Sequence, residues 1–254
     1  MKPKKTETIT ILKLKSQTID FYVLGTMPLI HNCVSEKAGQ QIFNPPDQKT
    51  KADLQGILKH QPYQEFRDSP YTVADDQEPT LITLPSRNFK AALRSAALDI
   101  PGSTKSQIGR LTWVEREFVA IYGIPQIFCE IVRQAGMNRT PDVRTRAIMP
   151  RWAAKVSITF IKPTLNATSI SNLLAAAGLI NGVGDWRQQK GSGSYGRFEL
   201  VEEDNKEFLD IVKTGGRKAQ EAALLRCTPY DQKTEEMLSW FDEDTKARGL
   251  AVIK

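Results

Sequence analysis

The span Gly182 to Leu200, GVGDWRQQKGSGSYGRFEL, sets five glycines (Gly182, Gly184, Gly191, Gly193 and Gly196) among Asp185, Trp186, Arg187, Lys190, Tyr195 and Arg197. Glycine admits positive φ and places no Cβ between the main chain and whatever lies on it, so amides in such a loop can face an anion directly. Interleaved cations and aromatics add phosphate pairing and base stacking, the two main contributions to single-stranded nucleic-acid binding. The competing reading of the same residues is a hairpin loop whose Trp186 and Tyr195 pack on the core. A second basic stretch precedes it. Arg133 to Arg151, RQAGMNRTPDVRTRAIMPR, carries five arginines against one acid, Asp142. With Gly136, Pro141 and no amphipathic period, it reads as a protruding basic hairpin. Arg139, Arg144, Arg146 and Arg151 are then phosphate ligands, and Met137, Ile148 or Met149 is a wedge between bases. The plainer alternative is a solvated, charged loop.

Other chemistries fail on context. GVGDWRQQKG lacks the GK[ST] of a phosphate-binding Walker loop. A dinucleotide fingerprint needs a glycine at position 187, which is Arg187, and a strand before the loop where the pattern is helical. His31 and His60 are the only histidines, so no histidine-rich metal site is available. His31 follows a strand, where a general base could reach a ribose hydroxyl, or could simply bond to backbone. The acidic pairs Asp75-Asp76 and Glu202-Glu203 sit in loop or strand-end texture and read as solvated charge. Cys33, Cys129 and Cys227 are far apart and form no CxxC, which suggests reduced, buried thiols rather than a disulfide framework or zinc site. No catalytic residue, metal or cofactor is assigned. The net charge of +6 and pI near 9.2 favour polyanionic partners. The basic start lacks a following apolar region, and no window approaches a membrane span, so a cytoplasmic, non-membrane protein is expected.

The elements that must carry these loops follow from periodicity. ITILKLKSQTIDFYVLGTMPLI alternates as one or two strands, with Ile19, Phe21 and Val23 on one face and Asp20 and Tyr22 on the other. Ser35 is placed to cap a short helix. Residues 44–80 are rich in proline, glutamine and charge and read as an insertion ordered around Tyr63, Phe66 and Tyr71. RNFKAALRSAALDI is an amphipathic helix with Phe89, Leu93, Ala96 and Ala97 on its apolar face. KSQIGR reads as a turn into one long strand from Thr112 to Tyr122, followed by a short strand at 127–132. WAAKVSITFIK is the strongest strand pattern, and SISNLLAAAGLI, capped by Thr168 or Ser169, is a helix that empties into the glycine loop. RFELVE returns as a strand. Beyond Asp204, KEFLDIVKT and one long helix over KAQEAALLRC…KARG form a helical extension.

A helix delivering GVG, six residues, then GSG before a final strand resembles the CRISPR-associated RAMP superfamily of RNA-binding proteins. The match falls on Gly182, Val183, Gly184, Gly191 and Gly193, and in element order extends over about residues 19–200. The resemblance implies an α+β, RRM/ferredoxin-like antiparallel sheet with helices on one face, the sheet acting as an RNA platform. It implies one domain over 1–254, with insertions at 44–80 and 133–151 and a helical extension at 204–254. The basic insertion makes the chain most like the backbone subunit of CRISPR effector complexes, in a host, phage or mobile-element version. Such a subunit binds single-stranded guide RNA with further copies of itself and other effector subunits, and supports pairing with a target strand. The implied RNA-binding set is His31, Arg139, Arg144, Arg146, Met149, Arg151, Gly182, Gly184, Trp186, Arg187, Lys190, Gly191, Gly193 and Tyr195. Two alternatives are a metal-independent endoribonuclease with His31 as base and Lys190 or Arg187 steadying the charge, and a single-stranded DNA-binding phage recombination protein. The superfamily's processing endonucleases carry the glycine loop near the C-terminus, whereas about fifty residues follow it here.

Overall fold

A computed structural model describes residues 13–34, 58–133, 139–189 and 193–252. The expected helix after Ser35, residues 44–57 of the insertion, Met137, Lys190 and Gly191 lie outside them.

Strand β1 (Lys15–Gly25) alternates as its sequence requires, burying Phe21 and Val23 on one face. After the two-residue strand β2 (Leu29–Ile30) come helix α1 (Pro62–Asp68) and strands β3 (Tyr71–Thr72) and β4 (Ile82–Pro85). Helix α2 (Arg87–Ala96) lays Phe89, Ala92, Leu93 and Ala96 into the core. The expected turn at 105–110 is instead helix α3 (Lys105–Leu111). A capping box closes its start: the Thr104 hydroxyl accepts from the Gln107 amide while the Gln107 side chain accepts from the Thr104 amide. The expected single strand Thr112–Tyr122 is broken into β5 (Thr112–Val114) and β6 (Phe118–Gly123), with Arg116 at φ +67° in the turn between them. Next come β7 (Gln126–Arg133), β8 (Pro141–Met149) and β9 (Trp152–Lys162). Helix α4 (Ala167–Ala176) is capped by Asn166, whose side chain accepts from the Ser169 amide at 2.8 Å, rather than by Thr168 or Ser169. A π-helical turn over Ala177–Asn181 follows, then β10 (Phe198–Val201). The extension holds three helices, α5 (Lys206–Thr214), α6 (Arg217–Arg226) and α7 (Gln232–Ala247). The expected long helix is interrupted because Cys227 takes a left-handed conformation at φ +51° two residues before Pro229.

The first sheet runs β10-β1-β9-β6-β4-β3, with β5 also on β9, and its strands pair antiparallel. Its four strands β10-β1-β9-β6, linked through α2 and α4, form the β-α-β-β-α-β arrangement of an RRM-like ferredoxin fold. The fold is therefore α+β and RRM-like. Helices α2 and α4 cover one face, burying Trp152, Val156, Ile158 and Phe160 of β9 against Leu93 and Leu174. On the opposite face, α5 covers one end through Phe208 and Ile211 on Leu24 and Ala153.

The second sheet, β2-β8-β7, incorporates the arginine-rich span. One side packs on α1 and α7 through Tyr63, Phe66, Ile127, Cys129, Ala147 and Leu238. The other carries Ile30, Phe128 and Ile148, against which Trp186, Tyr195 and Tyr230 rest. The basic stretch is thus a hairpin, as expected, but its base is a working strand. Among the described residues, no helix is long and apolar enough to cross a membrane.

Candidate nucleic-acid interface

The π-helical turn aims the chain from α4 into the glycine loop, and buried Asn181 fixes that exit by donating from Nδ2 to the Ala92 carbonyl of α2 at 3.3 Å. The loop then closes on its own main chain. Val183 N–H donates to Gly196 O at 2.9 Å, Gly196 N–H to Pro28 O at 2.8 Å and Asp185 N–H to Ile30 O at 3.0 Å. Gly196 has φ +70°, and a Cβ there would lie 1.7 Å from Val183 O. Gly184 has φ +84°, and its Cβ would lie 2.7 Å from Ile30 O. A Cβ on Gly193 would stand 2.0 Å from Trp186 O, and one on Gly182 would stand 2.9 Å from Gly196 O. These four glycines are required by the loop's contact with itself and with β2. That corrects the expectation that their bare backbone is kept open for an anion.

What the closed loop presents is aromatic. The Trp186 and Tyr195 rings stack with centroids 6.3 Å apart and planes 28° from parallel. Phe128 meets Trp186 edge-on at 6.1 Å and Tyr230 at 5.7 Å. Trp186 and Tyr195 are half-buried, so each ring is packed in part and open in part. The packing expected of these two residues is observed, and their half-exposure leaves part of each ring open.

The arginines divide. In the β7–β8 register Arg146 faces Phe128 and Arg144 faces Glu130, which places both on the aromatic side of the second sheet. Arg144 is exposed, and its Nε is 3.9 Å from Asp142, a carboxylate held more closely by Lys59 at 2.7 Å and His60 at 2.9 Å. Arg146 is half-buried. Its Nη1 donates to Thr145 O at 2.9 Å, while its Nε is buried with no partner among the described residues. Burial lowers its pKa from the usual arginine value, against the pull of Asp185. Arg139, at φ +42°, is exposed near the hairpin tip. Arg151 is elsewhere, 3.3 Å from both Glu207 and Asp210 of α5, and does not join this face. Arg187 turns toward α2, with Nη1 donating to Gly184 O at 2.8 Å.

Three further expectations are corrected. Met149 and Ile148 are fully buried, because β8 alternates into cores on both sides of its sheet; neither is available as a wedge. His31 is also fully buried, with no partner on either ring nitrogen among the described residues, and burial pushes its pKa down to about 4. A base enclosed in this way does not reach a ribose. The uncovered part of the first sheet is no cationic platform either. Asp20 accepts from Ser157 at 2.6 Å and pairs with Lys155 at 2.8 Å, while Thr159 donates to Glu115. The aromatic and cationic groups converge on the second sheet instead. Phe128 and Tyr230 are members of that face which the sequence reading missed. Phe128 was hidden in an ordinary strand alternation, and Tyr230 in a stretch taken for helix. Among the described residues no group of three His, Cys, Asp or Glu could hold a metal ion.

The fold and this face together define an RRM-like α+β protein with an aromatic and arginine cluster on an accessory sheet. No family model and no curated protein matches the chain. Among solved structures it is similar to a chain of the type III-B Cmr-beta complex bound to cognate target RNA, at 14% identity and a TM-score of 0.35. That match covers 74% of this chain and 60% of the other. It is also similar to Cmr6 from Pyrococcus furiosus, at 10% identity and a TM-score of 0.36, covering 75% of this chain and 100% of that one. Superpositions this loose carry no argument; the strand order defines the fold.

Proposed function

We propose that the protein is a non-catalytic, RAMP-type RNA-binding subunit that lies along the guide RNA of a CRISPR effector ribonucleoprotein, together with further copies of itself, and supports pairing with a target strand. The observation that carries this reading is the meeting of the Trp186–Tyr195 stack with Arg144 and Arg146 on one face of the β7–β8 hairpin. Aromatic ring faces stack bases of any identity, and cations beside them take the phosphates in between. The RRM-like strand order and the GVG…GSG loop support the RAMP assignment. The burial of His31 argues against the endoribonuclease alternative in the form that uses it as base.

Fluorescence anisotropy with a labelled single-stranded RNA of about 30 nucleotides at low salt tests this, the length being on the order of a few binding footprints. Trp186→Ala is expected to weaken binding by about 1–3 kcal/mol. Arg144→Ala should weaken it and lower the salt slope by about 0.7. An unlabelled RNA should compete better than the DNA of the same sequence, because only RNA offers the 2′-hydroxyl. Wild-type protein that leaves the RNA unbound at low salt removes the reading; equal or better competition by DNA turns it toward a DNA-binding protein.

A further inference from the structure

On its other side the glycine loop meets α2 and α3. Ala91, Arg94 and Ser95 of α2, Lys105 of α3, and Arg187 and Gln189 of the loop line an open cavity of about 420 Å3. Half of that lining is cationic and none of it is acidic. Arg94 and Lys105 are exposed; Arg187 feels Asp185 electrostatically; and among the described residues none of the three forms an ion pair. Three positive charges facing one concavity repel each other, and an anion seated between them relieves that cost.

The lining is also held in place. A Cβ on Gly109 of α3 would lie 2.8 Å from Arg94 Nε, so the glycine gives the Arg94 side chain room to lie along α3. Ser95 is only 5% exposed, and its hydroxyl accepts from Gln189 Nε2 at 2.5 Å, which ties the loop to α2 at the pocket's edge. Two guanidinium groups and an ammonium suit a phosphate, which arginine meets with paired donors and lysine with a compact charge.

We propose that this pocket is a phosphate-binding site, separate from the arginines of β8, and that its ligand is a backbone phosphate of the nucleic acid bound by the loop. The choice of ligand rests on the RNA-binding reading. Trp186 and Arg187 are consecutive, so within one residue the loop changes from stacking surface to pocket wall, and a strand leaving the aromatic face arrives at these cations.

Pyrophosphate is the probe for the pocket alone, read by thermal shift, and the labelled RNA is the probe for its ligand, read by anisotropy across a salt series. Arg94→Ala/Lys105→Ala is the test variant, with circular dichroism confirming its fold and Arg144→Ala as the comparison. The proposal expects pyrophosphate to raise the melting temperature of wild type and not of the double variant. It expects RNA affinity to fall about tenfold or more, the loss of charge-assisted hydrogen bonds. The salt slope should shrink by about 0.7, the share of one phosphate contact. A double variant with wild-type RNA affinity, slope and pyrophosphate response overturns the pocket, and if Arg144→Ala still weakens RNA binding the functional reading survives. A wild type that ignores RNA but loses its pyrophosphate response in the double variant keeps the anion site and removes its assigned ligand.

Discussion

Trp186 adopts φ +48°, a conformation that costs a bulky side chain of order 1–3 kcal/mol and persists where its surroundings enforce it. Here the Tyr195 stack and the Phe128 edge contact enforce it, which holds the indole ready at the open face. Gly196 is the less forgiving position. Gly196→Ala adds a Cβ at 1.7 Å from Val183 O while φ stays at +70°, so it should destabilise the fold by about 3 kcal/mol or more, seen as a lowered denaturant midpoint. The two histidines make opposite contributions to acid stability. His31, with its pKa pushed by burial from 6.5 to about 4, binds fewer protons folded than unfolded between those values. Stability therefore falls as pH drops through that window, by up to about 3 kcal/mol, and His31→Leu should flatten this limb of a urea-midpoint profile. His60 is raised by its hydrogen bond to Glu65 and then by Asp142. Its contribution is complete below about pH 6.5 and is lost as pH rises through the folded-state pKa, so His60→Gln should cost stability at acid pH and less as pH rises above 6.5.

Among the elements, α6 joins the extension to the RRM-like core through one fully buried side chain, Gln220. Its Oε1 accepts from Ile82 N–H at 2.9 Å, and its Nε2 reaches the carbonyls of Ile121, Gly123 and Gly215 at 2.8, 3.2 and 3.0 Å. Gln220→Leu leaves those buried backbone groups without this partner. It is expected to cost about 3 kcal/mol or more and to expose the Ile82 amide to hydrogen exchange well before the centre of β9. Elements with a single strong period were legible in the sequence. β1, α2 and β9 each bury the residues their alternation or helical spacing selects. Helix α3 was not, because KSQIGR is polar and holds a glycine; its signal was the Thr104–Gln107 capping box. Strand β8 was obscured by its arginines, although Val143, Thr145, Ala147 and Met149 alternate with Asp142, Arg144, Arg146 and Ile148 in the period of a strand. The glycine loop was singled out in the sequence, and its backbone contacts show a different reason for the glycines.

Across the whole molecule, charge is sorted by surface. The solvent side of α7 carries Glu235, Glu236 and Glu243, a surface that repels a polyanion and that meets the aromatic cluster at Tyr230 and Asp231. Cations border the glycine loop on both sides, at Arg144 and Arg146 and at Arg94, Lys105 and Arg187. In the proposed reading a thread of RNA follows the loop rather than the carboxylate-bearing face of the first sheet, where Asp20 and Glu115 lie. The most direct test of this placement is photocrosslinking of the intact protein to a 4-thiouridine-substituted single-stranded RNA, with the adducts mapped by mass spectrometry. The account predicts adducts at Trp186 and Tyr195. Adducts confined to Trp113 and Tyr22 on the first sheet, with that aromatic cluster unmodified, would contradict it.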